Sequence, residues 1–163
     1  MERLHIRTAT LEDLEQIAAI EAACFPPGLA GSREDIRQRL GAYPDHVLVG
    51  EWEGTVAGYI MGPVIAPMYI EDAMFHDIAC HRPEGPYQSV FSLAVSPVFQ
   101  HQGIGGQLLR AMADLARREG RRGVTLTCLD DKVGYYAAFG FRDHGVGSSI
   151  HGGVPWHNMV LDL

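Results

Sequence analysis

The chain has 163 residues, of which 47% are hydrophobic and 20% charged, an ordinary soluble globular composition with room for one domain and a core. A formal net charge of −7 and an isoelectric point near 5.5 argue against a surface built to neutralise nucleic-acid phosphates. Cys24, Cys80 and Cys128 form no Cys-x-x-Cys pair and no metal-ligand spacing, so no metal is expected, and an odd count without an apolar leader suits reduced thiols in a cytoplasmic protein.

No apolar run approaches the ~20 residues of a membrane span. Leu4 to Arg7 alternates and predicts a short strand. Thr10-Leu11-Glu12-Asp13 reads as a capping box with Asp in the place of Glu or Gln, opening a helix that Phe25-Pro26-Pro27-Gly28 ends near Cys24. Ser32-Arg33-Glu34-Asp35 reads as a second box, followed by Ile36 and Leu40 at helical spacing and by Gly41 as a stop. The Phe25–Gly31 segment then links two helices, as a rigid corner or a substrate lid.

His46 to Val49 and Thr55 to Gly62 read as a hairpin about the Glu53-Gly54 turn. Pro63 to Pro86 is mostly loop, with a short helix expected within Glu71–Cys80. Val90 to Val95 reads as the central strand. The next helix buries Ile104, Leu108, Met112 and Leu115 and stops at Gly120. Arg117, Arg118, Arg121 and Arg122 fall at its C-terminus, where cations are favoured. Val124 to Cys128 alternates as a strand, Asp131 to Ala138 suits a short helix, and Trp156 to Leu163 is apolar enough for a last strand. The order predicts a mixed α/β domain over residues 1–163, with a right-handed parallel βαβ unit made by Val90–Val95, the long helix and Val124–Cys128.

Between the central strand and the long helix lies Gln100-His101-Gln102-Gly103-Ile104-Gly105-Gly106. Three glycines in four positions at a helix start leave backbone N–H groups uncovered, where the helix dipole also favours an anion. The loop lacks the Gly-Lys-Ser/Thr ending of a Walker A loop and the third glycine of a dinucleotide fingerprint. Read alone, it fits a phosphate clasp and a tight strand-to-helix turn equally well.

The pattern Gln-x-x-Gly-x-Gly after Leu93-Ala94-Val95 resembles the acetyl-CoA loop of the GCN5-related N-acetyltransferase (GNAT) superfamily. Tyr135-Tyr136-Ala137-Ala138-Phe139-Gly140-Phe141 is similar to a second motif of that superfamily, in the right order about 30 residues on. Gly58-Tyr59-Ile60-Met61-Gly62, His81-Arg82-Pro83-Glu84-Gly85, Ser92 to Val95, Phe99 to Gly103 and Cys128-Leu129-Asp130 resemble segments of its serotonin (arylalkylamine) N-acetyltransferases. The resemblance implies a single acyl-CoA N-acyltransferase fold, with a mixed central sheet of six to seven strands and about four helices.

It further implies acetyl-CoA as co-substrate and a small primary amine, aromatic amines included, as acceptor, while the charge, cysteine spacing and hydropathy above predict no nucleic-acid, metal or membrane partner. Two neighbouring strands, Val90–Val95 and Val124–Cys128, would splay apart. Pantetheine would then pair with Leu93 and Val95, the pyrophosphate would sit on the N–H groups of Gln102, Gly103, Ile104, Gly105 and Gly106, and Ala94 and His101 would also border the cofactor. Tyr136 would be the general acid, with Tyr135 in the core.

The histidine pair that the serotonin enzymes carry before this strand is replaced by Ser89 and Phe91. A phenyl ring cannot titrate and a serine can only relay, so the base is open among His76, His81, His144, His151, His157, Glu21 and Asp130. A protein or peptide N-terminus as acceptor, a CoA-binding module without turnover, and a homodimer also stay open.

Overall fold

A computed structural model describes residues 4–149 and 151–163, the side chain of His151 excepted. In chain order the elements are β1 (Leu4–Thr8), α1 (Leu14–Cys24), α2 (Arg33–Ala42), β2 (Val47–Trp52), β3 (Thr55–Met61) and β4 (Val64–Ile65). There follow β5 (Tyr87–Val90), β6 (Ser92–Val95), α3 (Ile104–Arg118), β7 (Gly123–Cys128), α4 (Val133–Ala137), β8 (Arg142–Val146) and β9 (His157–Asp162). The fold is α/β with four α-helices among the described residues. The strands form one sheet of four and one of five, where the sequence suggests a single sheet of six to seven. The chain condenses into two compact units, one reaching to Gly62 and including Ser92–Met112, the other made of Pro63–Phe91 and Ala113–Leu163.

In the first unit the strand order is β1-β2-β3-β6, with antiparallel pairing throughout. Both expected capping boxes are present. Asp13 Oδ2 accepts from Thr10 N–H, and Ser32 and Asp35 exchange side chain and backbone bonds of 3.0 Å. Leu14, Ile17 and Ile20 give α1 one buried face, which meets Ile36, Leu40, Val49, Tyr59 and Ala94 in the core. The hairpin turn has φ +50° at Glu53 and +83° at Gly54, the positive pair a two-residue turn demands.

Gly50 of β2 stands opposite Gly58 of β3. With no side chains there, Leu108 and Ile104 of α3 settle against the gap: a Cβ on Gly50 would lie 3.7 Å from Ile104 and 3.8 Å from Leu108. This glycine pair fixes how closely the start of α3 approaches the sheet.

In the second unit the order is β4-β5-β7-β9-β8. β5 and β7 run parallel, and the other neighbours are antiparallel. The His81–Gly85 segment is a structural corner. Val64 N–H donates to His81 Nδ1, and the carbonyls of Pro83 and Gly85 each accept from Arg121 at 2.8 Å. Gly85 is required, because a Cβ there would stand 2.7 Å from the Ile65 carbonyl oxygen. Between Glu71 and Cys80 the expected helix is two short 3-10 turns, Asp72–His76 and Ile78–Cys80.

Val90–Val95 is not one strand. Val90 ends the pairing of β5 with Leu126 of β7, and Ser92 begins that of β6 with Met61 of β3. The chain changes partner at Phe91, so the parallel pair of the βαβ unit is Tyr87–Val90 with Gly123–Leu126. Alternating hydrophobicity cannot reveal such a switch, since both halves remain extended strand.

Candidate active site

β6 is the outer strand of its sheet. The Ser96 N–H bonds the Ala57 carbonyl at 2.7 Å, which sets the hydrogen-bonding phase of the β3–β6 ladder. Alternation then turns the backbone of Ala94 and Ser92 toward β3, and that of Leu93 and Val95 toward the open edge. Ala94, expected to touch a cofactor, instead spends its backbone on β3 and its methyl in the core. The Val95 carbonyl is occupied by the Cys24 thiol at 3.3 Å and the Gln100 side chain at 3.1 Å. Among the described residues, the Leu93 N–H and C=O and the Val95 N–H have no partner on that edge. They are the groups an extended ligand could pair with.

The strand runs through a 3-10 turn at Pro97–Phe99 into the glycine loop. His101 and Gly103 have φ of +65° and +79°. Space for a Cβ is open at Gly103, so glycine is needed there for conformation and not for clearance. Gln107 N–H makes a bond of α3's first turn, to Gly103 O at 3.2 Å. The amides of Ile104, Gly105 and Gly106 precede it and have no intrahelical acceptor. His101, Gln102 and Gly103 are exposed, while the Ile104 side chain is buried and can offer only its N–H. Strand edge and helix amides lie in one unit, along one stretch of backbone.

A buried carboxylate faces this strand. Glu21, at the last turn of α1, accepts from Ser92 Oγ at 2.7 Å and from the Tyr59 hydroxyl on Oε1, and from Gly31 N–H at 2.8 Å on Oε2. Tyr59 and Ser92 are also 3.0 Å apart. Burial first, and then the Glu21 charge, push the Tyr59 phenol far up, so it stays a neutral donor. Glu21 thereby pins the end of the Phe25–Gly31 loop. Among the candidate bases, Glu21 alone is placed here in the same unit as the β6 edge.

Tyr136 lies in the second unit. The Phe141 N–H reaches the Tyr136 carbonyl at 3.3 Å and the Gly140 N–H reaches Ala137 at 3.0 Å, with Gly140 at φ +97°. This is a Schellman closure, and the Tyr136–Phe141 ring contact at 5.9 Å is its usual apolar clasp. The Tyr-x-x-Phe-Gly-Phe motif is therefore a helix stop in its own right. The hydroxyl takes no part in it and has no hydrogen-bond partner among the described residues. Burial is the main cause that raises the Tyr136 phenol, followed by Tyr135 and Cys128, so it remains protonated at neutral pH. Tyr135, expected in the core, is 42% exposed and lies edge-on to Tyr136.

Ser89 and Phe91 supply no base. The Ser89 hydroxyl donates to the Pro63 carbonyl at 2.6 Å, and Phe91 packs on Phe75 with ring centroids 4.5 Å apart. His81 holds the Val64 amide, and His144 Nδ1 lies 2.7 Å from the Tyr69 hydroxyl. His157 lies between Asp130 and Asp143. His151's side chain lies outside the described residues. Among the described residues no group of three His, Cys, Asp or Glu could hold a metal ion, and no helix is long and apolar enough to cross a membrane.

A model of the acetyltransferase (GNAT) family matches residues 14–141. The chain is 26% identical over 127 residues to the uncharacterized N-acetyltransferase YkwB of Bacillus subtilis, covering 70% of this chain and 55% of that protein. It is 31% identical over 131 residues to the serotonin N-acetyltransferase of Mesocricetus auratus, covering 80% of this chain and 62% of that protein. The chain thus spans little more than half the length of these curated relatives, and the serotonin enzyme is a distant relative among several. Of solved structures, the GphF GNAT-like decarboxylase in complex with isobutyryl-CoA superposes with a TM-score of 0.85 at 22% identity, over 97% of this chain and 98% of that one. A GNAT family acetyltransferase from Brucella melitensis in complex with acetyl-CoA gives 0.65 at 24%, over 100% and 90%. At such identities the superpositions establish the fold, which by itself does not choose a reaction.

Proposed function

Since this chain belongs to the acetyltransferase (GNAT) family, we propose that it is an acetyl-CoA-dependent N-acetyltransferase, passing the acetyl group directly to a primary amine in a ternary complex. The observation that carries this reading is the open edge of β6 leading into the uncovered amides of α3. The Leu93 carbonyl and the Val95 N–H pair with the pantetheine arm as an added strand would. The amides from Gln102 to Gly106 hold the pyrophosphate, and the exposed His101 side chain flanks it. Residues 1–163 act as one acetyltransferase domain.

The acceptor nitrogen attacks the thioester carbon, the C–S bond breaks, and the amine proton must leave as the thiolate gains one. An N–H at Leu93 donates to the carbonyl oxygen as charge grows there. Ser92 Oγ accepts the amine proton while passing its own to Glu21, along the 2.7 Å bond already in place. Tyr136 donates to sulfur, its protonated form secured by burial. A net charge of −7 favours a cationic acceptor, such as an ammonium ion before deprotonation. The exposed apolar Met68, Tyr69 and Ile78 lean toward an apolar or aromatic one.

Thiol release from acetyl-CoA, measured across arylalkylamines, polyamines and peptide N-termini, tests the reading; no turnover on any of them would sink it. A second reading, a CoA-binding module without turnover, draws on Ser89 and Phe91, whose contacts leave no base where the serotonin enzymes carry histidines. Calorimetry with CoA separates the two: binding without turnover selects the module, and no binding removes both.

A further inference from the structure

His157 carries contacts that acetyl transfer does not use. Its Nε2 lies 2.8 Å from Asp130 Oδ1, and its Nδ1 lies 3.0 and 3.1 Å from the two Asp143 oxygens. A neutral imidazole has one N–H and one lone pair, so it can donate to only one of these carboxylates. Only the imidazolium satisfies both, and once it loses a proton one carboxylate faces a lone pair near 3 Å.

The two partners are not equivalent. Asp143, on β8, also accepts the Gly145 N–H at 2.8 Å and is held in place. Asp130 is 87% exposed and opens the 3-10 turn Asp130–Lys132, which runs directly into α4. Deprotonation therefore releases Asp130, and Tyr136 lies one turn into the helix that Asp130 starts.

We propose that His157 is a positioning residue for Tyr136: as an imidazolium it pins Asp130, and with it the start of α4, to β8 and β9. The proposal rests on the reading of Tyr136 as the acid of acetyl transfer. The other titratable groups around it are Cys128 on β7, its pairing partner across the sheet, Asp131 in the same turn as Asp130, and His144 beside Asp143. The Cys128 thiol is pushed up to about 11, by burial above all, and stays neutral. Asp143 first, then Asp130, raise His157 above its ordinary value. The pin is thus complete below about pH 6.5 and is lost as pH rises through the raised value in the folded protein.

The test follows Tyr136 by NMR, with ring-labelled tyrosine, from pH 5.5 to 9 in the full chain. The Tyr136 ring signals should move with the midpoint of the His157 imidazole, above 6.5, and His157→Gln should abolish that movement. Signals that ignore the His157 titration would overturn the proposal. Should His157→Gln not fold, Asp130→Asn, at an exposed side chain, removes the same tie. With tryptamine as acceptor, the wild-type to Asp130→Asn ratio of kcat should be about ten at pH 6 and about one at pH 9. A ratio constant with pH would also overturn it. An unchanged kcat in Tyr136→Phe would instead refute the acid assignment, while the ring titration still decides whether His157 positions α4.

Discussion

The Ser92 hydroxyl donates to Glu21 Oε1 across 2.7 Å, on the strand whose next residue leaves its backbone open. This couples the last turn of α1, the end of the Phe25–Gly31 loop and β6 through one carboxylate. Glu21→Gln keeps the size and one acceptor oxygen but cannot take a proton. It should lower kcat by about 10²-fold, with acetyl-CoA affinity within about twofold. Steady-state kinetics beside calorimetry measure both, and full activity in the variant would remove Glu21 as the proton acceptor.

Tyr136 offers a cleaner separation of structure from chemistry. Its ring closes the Schellman motif, whereas its hydroxyl bonds to nothing among the described residues. Tyr136→Phe should leave the urea midpoint almost unmoved and lower kcat by about 10²-fold. If kcat holds as well, the residue serves as a helix stop alone.

Gly58 faces Gly50 across the hairpin and carries the approach of α3 to the sheet. A Cβ at Gly58 would stand 2.8 Å from the Ala94 carbonyl oxygen and 3.3 Å from Leu108 Cδ1. Gly58→Ala must therefore push β6 away or lift α3. We expect a stability loss of about 1–3 kcal/mol and weaker acetyl-CoA binding, read by urea unfolding and calorimetry. Undiminished binding would show that the cofactor edge tolerates the shift.

Acid stability should reflect Arg7 and Asp13. The Arg7 guanidinium bonds both Asp13 oxygens, at 2.8 and 2.9 Å, and above all other causes holds this carboxyl below the usual carboxylate range. A lowered value in the folded state means the contribution is complete above about pH 4 and is lost as pH falls through the folded value. Asp13→Asn should cost about 1–3 kcal/mol at pH 7. The difference from wild type should shrink in acid, where protonated Asp13 resembles asparagine. Urea unfolding at pH 7 and pH 3 tests this, and an equal gap at both would refute the linkage.

Local chemistry was legible in the residues themselves. Thr10 with Asp13 and Ser32 with Asp35 start helices because their side chains reach only nearby amides, so spacing alone specifies them. The Glu53-Gly54 turn and the glycine loop before α3 are local in the same sense, as is the Tyr136–Phe141 stop. Each depends on bonds between residues a few positions apart, which a linear pattern records.

Tertiary structure decided the rest. That β6 pairs with β3 while β5 pairs with β7 depends on strands some 30 residues away, and Ser92 and Val90 look alike to any periodicity. The phase of that ladder assigned Leu93 and Val95 to the open edge and Ala94 to the core. The meeting of Glu21, Tyr59 and Ser92, and of His157 with Asp130 and Asp143, likewise joins residues distant in sequence. The chain alone determined which chemical groups and local turns exist. Their pairing required long-range packing, because a hydrogen bond responds to distances of tenths of an ångström that only the folded backbone sets.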